Sequence, residues 1–135
     1  MNKFAFLLIV TLTILLSGCN KDESHTSVLG SWNCEEFSDD LEGKRIYQAT
    51  IQRREEIVGA TNEYKIFNFH KLGDIENSEV FVTENEPGIL TITGCADIRF
   101  SFTGEGIVAA DFSRIEWTYQ VNDGATNLLV KANYY

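Results

Sequence analysis

The sequence predicts an all-β domain, an antiparallel up-and-down barrel or flattened sandwich of about eight strands. Three observations carry this. Apolar and polar residues alternate with period two along most of the chain after Leu29, the pattern of strands with one packed and one wet face. Turn-forming residues interrupt that alternation at short intervals. Apolar residues at helical spacing are almost absent.

The elements follow in order. Strands are expected near 29–37, 45–54, 62–70, 78–84, 88–93, 97–103, 106–118 (broken near Ala110) and 126–135. The clearest alternations are Tyr47, Ala49, Ile51; Ile98, Phe100, Phe102; Ile115, Trp117, Tyr119, Val121; and Leu128, Val130, Ala132, Tyr134. β-branched and aromatic residues are abundant in them. Glu42-Gly43, Leu72-Gly73-Asp74, Pro87-Gly88, Gly94, Gly104-Glu105-Gly106 and Asn122-Asp123-Gly124 punctuate them. Gly104-Glu105-Gly106 reads as a hairpin turn. Arg53–Ala60 has some helical character, but a strand suits its surroundings better.

Before these strands the chain is of another kind. Asn2-Lys3 gives a positive start, and Phe4 to Leu16 carries no charge. That stretch is too short to span a bilayer core of roughly 30 Å and fits the apolar part of an export signal. Leu16-Ser17-Gly18-Cys19 resembles the lipobox of bacterial lipoproteins, in which small residues admit a peptidase and the cysteine thiol accepts the lipid. Residues 1–18 are therefore expected to be a cleaved signal, 19–28 a lipidated flexible tether, and 29–135 one domain. Asn20 to Ser27 contains no apolar side chain, as a tether requires. Lys21-Asp22-Glu23 resembles the lysine-plus-acidic signal that sends lipoproteins of the Bacteroidetes to the outer leaflet of the outer membrane. The resemblance implies a bacterial outer-membrane location, lipid-anchored through several acyl chains, which together hold firmly, at the cell surface or else on the periplasmic face.

A second resemblance lies at the start of the folded part. Leu29-Gly30-Ser31-Trp32 is similar to the Gly-x-Trp opening of lipocalin-like proteins. Ile66-Phe67-Asn68-Phe69 with Gly73, and Tyr119-x-Val121-x-Asp123-Gly124, are similar to small lipocalin-like lipoproteins of the Bacteroidetes. Lys131 stands near the position of the closing arginine of true lipocalins. The resemblance implies a barrel with Trp32 plugging one end, and a shape more than a function.

The chain has 20 acidic and 11 basic residues, a formal net charge of −9. The acids occur as separate pairs, Asp22/Glu23, Glu35/Glu36, Asp39/Asp40 and Glu55/Glu56, and read as solvating charge. Nucleic acid is not an expected partner, because no basic stripe exists to neutralise phosphates; Arg53-Arg54 is followed at once by Glu55-Glu56.

No catalytic residues and no metal or cofactor are expected. His25 lies in the tether, and His70 reads as a surface histidine at a strand end, although it is the only histidine placed for a Ser-His-Asp set. Neither histidine shows metal-ligand spacing. The acidic loop Ser38-Asp39-Asp40-Leu41-Glu42-Gly43 departs from calcium-loop spacing and reads as a solvated turn. Trp32, Phe69, Phe100, Trp117 and Tyr119 line an apolar pocket if the barrel is hollow; in a domain this small a filled interior is the stronger expectation. Cys34 and Cys95 are the two thiols left once Cys19 is acylated. In an oxidising compartment they either pair, closing a loop of about 60 residues at a gain of roughly 4 kcal/mol, or stay as separate small apolar side chains.

Two functions of different class follow. One is a non-enzymatic binding module for a small apolar ligand or an envelope partner. The other is a structural or accessory lipoprotein that acts by protein–protein contact around a filled barrel. Lipidation is the testable premise of both: Cys19→Ser is expected to abolish metabolic labelling with a palmitate analogue, and labelling that persists refutes the anchor.

Overall fold

A computed structural model describes residues 24–38, 43–73 and 77–135. The expected signal, Cys19, Lys21-Asp22-Glu23 and the acidic loop residues 39–42 lie outside the described residues. The strands are β1 (Gly30–Ser38), β2 (Arg45–Arg53), β3 (Glu63–Phe67), β4 (Val80–Glu86), β5 (Ile89–Cys95), β6 (Ser101–Val108), β7 (Ile115–Asn122) and β8 (Asn127–Tyr134), with a single-turn 3-10 helix, η1, at Phe69–Lys71. Each strand pairs antiparallel with the next, and β8 returns to β1 to close a barrel. Backbone bonds of 2.9 Å in both directions between Asn33 and Tyr135 extend that closing seam.

The alternation has a simple outcome. On β7, Ile115, Trp117, Tyr119 and Val121 are buried and Glu116, Thr118, Gln120 and Asn122 are exposed. β2 and β8 follow the same rule with Tyr47, Ala49, Ile51 and Val130, Ala132, Tyr134 inside. The barrel is apolar within and polar without, the reverse of a barrel that faces lipid.

Several sequence expectations are corrected. Gly104-Glu105-Gly106 is no turn but the middle of β6, paired with β7. The two glycines are there for space. A Cβ on Gly104 would stand 2.3 Å from the Thr118 carbonyl oxygen and 2.5 Å from Tyr119 Cα, and one on Gly106 2.8 Å from the Trp117 ring. The real turn runs from Ala109 to Arg114, closed by Ala109 N–H donating to the Arg114 carbonyl at 2.8 Å. Ile98 is 98 % exposed at a turn tip, because Asp97 accepts from the Arg99 amide and holds its guanidinium, bending the chain. Arg53 ends β2, and residues 54–60 form turns. β3 stops at Phe67, since Asn68 adopts φ 56°.

The tether ends earlier than expected. The His25 ring stacks on Trp32 with centroids 3.8 Å apart and planes 6° apart. Val28 is buried, and its carbonyl accepts from the Trp32 indole N–H at 2.9 Å. Trp32 thus closes one end of the barrel, covered by the incoming chain.

Of the two readings of the thiols, the structure has the second: Cys34 and Cys95 are both free. They lie on β1 and β5, four strands apart in either direction around the barrel. Facing walls of β-structure stand about 10 Å apart, whereas bridging needs Cα atoms within about 7 Å. Burial pushes the Cys34 thiol up to about 12.

The glycine result is testable. Gly104→Ala forces a methyl group into backbone atoms of β7, so a loss of about 3 kcal/mol in urea unfolding is expected. A variant as stable as the parent would refute the packing argument.

Candidate functional site

The interior is filled by rings. Phe69 comes from η1, outside the strands, yet is fully buried. Its ring lies 5.5 Å from Phe102, 5.3 Å from Trp117, 4.8 Å from Tyr119 and 6.3 Å from Tyr134, centroid to centroid. Phe100 packs at the edge of this group, 6.1 Å from Phe102. Of the residues expected to line a pocket, Phe69, Trp117 and Tyr119 thus come together as packed side chains, Phe100 joins them through Phe102, and Trp32 stands apart at the other end against His25. Among the described residues one groove of about 430 Å³ lies beside Leu29, Gln52 and Lys65 and another of about 510 Å³ beside Thr103, Glu105 and Thr118.

Beside Phe69 sits a polar cluster that sequence reasoning missed. Glu36, on β1, is fully buried. Its Oε2 accepts from the Tyr47 hydroxyl at 2.7 Å and the Tyr119 hydroxyl at 2.9 Å. Its Oε1 lies 2.8 Å from His70 Nδ1 and is ion-paired to the Arg45 guanidinium. Arg45 also donates to the His70 carbonyl at 3.2 Å, and the Tyr119 hydroxyl lies 2.9 Å from His70 Nδ1. Three strands and η1 therefore meet on one carboxylate. His70 is no surface histidine: its side chain is 11 % exposed.

The signal for Glu36 was in the alternation. It is the third inward position after Trp32 and Cys34, and Arg45 falls in phase with Tyr47 and Ala49. His70 had no such signal, because it follows the end of β3.

The electrostatics sort themselves by burial. Burial alone would raise Glu36, but hydrogen bonds and charge from His70, with those from Arg45 and Tyr47, outweigh it and hold the carboxyl at about 2. Burial and the Glu36 charge push Tyr47 upward, and burial with its neighbours does the same for Tyr119. Both tyrosines thus remain hydrogen-bond donors, and Glu36 remains an anion. The indole N–H of Trp117 has no acceptor among the described residues. Those residues include no group of three His, Cys, Asp or Glu placed to hold a metal ion.

The η1 segment is strained. Asn68, His70 and Lys71 take φ of 56°, 55° and 59°. Asparagine tolerates this region, but each of the others costs roughly 1–2 kcal/mol there. The segment is fastened by Leu72 N–H to the Phe69 carbonyl at 3.1 Å and by Gly73 N–H to Asn68 Oδ1 at 2.8 Å.

No known family model, curated protein or solved structure matches the chain.

The Glu36 network makes stability depend on pH. The folded carboxyl at about 2 lies below its ordinary 4.5, so its contribution is complete above about pH 5 and is lost as pH falls toward 2. The shift corresponds to something on the order of 3 kcal/mol. Glu36→Gln is expected to cost about 3–5 kcal/mol at neutral pH, since it leaves Arg45 without its counter-ion, and to flatten urea stability between pH 2 and 5. A variant with the parent's acid profile would refute the assignment.

Proposed function

We propose that the chain is a lipid-anchored bacterial outer-membrane lipoprotein that binds a small, largely apolar ligand at the η1 end of its barrel without transforming it. The anchor is supported by Leu16-Ser17-Gly18-Cys19 and the uncharged stretch before it, and outer-leaflet display by Lys21-Asp22-Glu23. The observation that carries the binding proposal is Glu36, a carboxylate withdrawn from water inside an apolar barrel and held by Arg45, Tyr47, His70 and Tyr119. Such a network is a poor source of stability, because apolar residues of the same volume often serve as well or better. It is a suitable polar anchor for a ligand that is otherwise apolar. A passive role fits the protonation states, since Tyr47 and Tyr119 stay protonated and the Cys34 thiol is buried and raised to about 12, far from the form in which thiols attack.

The filled interior favours a second role, contact with an envelope protein. Phe37 and Leu129 are 42 % and 53 % exposed, and they flank a groove of about 270 Å³ with Ser38 and Lys131 on the outer wall of the β1–β8 seam. Native mass spectrometry of the protein purified from its own host separates the two. A retained small molecule that is lost on denaturation is the expected result. A bare mass in every preparation would overturn the binding proposal and leave the contact role.

A further inference from the structure

Phe69 and His70 lie in the barrel as a bound molecule would. The wall is complete without them, since every strand from β1 to β8 is paired on both sides. Phe69 fills a slot between Phe102, Trp117, Tyr119 and Tyr134, and His70 places a ring nitrogen on Glu36 at 2.8 Å. We infer that these two side chains are a built-in occupant of a site for a neutral aromatic molecule bearing one N–H or O–H donor, which enters by displacing η1. The inference rests on the ligand-binding proposal above and names its ligand class and its gate.

The chemistry of the vacated site sets the class. With η1 withdrawn, the Phe69 slot is bounded by four aromatic rings, so it takes a flat ring in edge and tilted contacts. At its mouth Glu36 keeps Arg45, Tyr47 and Tyr119 but loses the His70 nitrogen, which leaves Oε1 with a position for one further N–H or O–H donor. Arg45 already balances the Glu36 charge. A cationic head would face the Arg45 guanidinium and an anionic head the Glu36 carboxylate, whereas a neutral donor meets neither repulsion.

The gate follows from the backbone. Three of the four residues 68–71 are non-glycine residues in the left-handed region, so the closed state stores strain that the open state releases. Lys71 is exposed and contributes no side chain to the slot. Replacing it changes the strain without changing the walls. Glycine accepts its φ of 59° freely and holds η1 closed; a β-branched residue resists that φ and favours opening. Apparent affinity falls with the open fraction.

4-Phenylimidazole joins a phenyl ring to an imidazole and is uncharged at pH 8, above the ordinary histidine range. Titrated calorimetrically into the full chain in detergent, it is expected to bind one to one. Hydrogen exchange is expected to quicken over residues 69–73 and to slow along β7. Lys71→Gly is expected to weaken binding about threefold and Lys71→Val to tighten it about threefold. The inference is overturned by no binding to any of the three proteins, by binding that leaves η1 exchange unchanged, or by affinities indifferent to position 71. If the protein from its host retains a native small molecule while the probe fails, this inference falls and the binding proposal stands. If neither is seen, both fall.

Discussion

A closed barrel of eight strands encloses a fixed and small volume, about enough for its own side chains. This chain places two tryptophans, several tyrosines and Phe102 on inward positions, and every other feature of the molecule answers to that crowding. β6 gives up side chains at Gly104 and Gly106 so that Tyr119 and Trp117 of β7 can lie against its backbone. Small residues, Ala49 and Ala132, occupy inward positions on β2 and β8. The space that remains is taken by a ring from outside the sheet, Phe69.

The same crowding explains why Glu36 is tolerable. A buried carboxylate is costly unless its oxygens are answered. Here the β1–β2 pairing puts Arg45 and Tyr47 beside Glu36, the fold brings Tyr119 in from β7, and η1 lowers His70 onto it. Phe69 and His70 are adjacent residues with different tasks, one in the apolar slot and one on the carboxylate. Their joint placement requires the left-handed turn at Asn68, His70 and Lys71. The strain of η1 is thus a consequence of satisfying two interior demands from one short loop.

The two ends of the barrel differ for the same reason. At the Trp32 end the interior is sealed by the incoming chain, with His25 stacked on the indole and the Val28 carbonyl taking its N–H. This seal uses local contacts, a few residues apart, and unstrained polar groups. At the η1 end the seal is made by a loop that has entered the barrel and reaches across to β6, β7 and β8. Only the second end combines a buried charge, an aromatic slot and a backbone under tension.

Period-two alternation determined the all-β fold, the count of strands and most of the inward residues, because a strand places successive side chains on opposite faces whatever its neighbours are. That rule also put Glu36 and Arg45 inside, had their positions been weighed above their charge. The sequence by itself further carries the apolar start and the Leu16-Ser17-Gly18-Cys19 motif, which are local features. Tertiary structure alone decided the rest. Gly104-Glu105-Gly106 has the composition of a turn and became strand because Tyr119 and Trp117, distant in sequence, needed the space. Cys34 and Cys95 have the parity of a disulfide and stayed apart because β1 and β5 occupy opposite walls. His70 became the partner of Glu36 because η1 folds inward, an outcome set by the volume left in a closed barrel and by no periodicity along the chain.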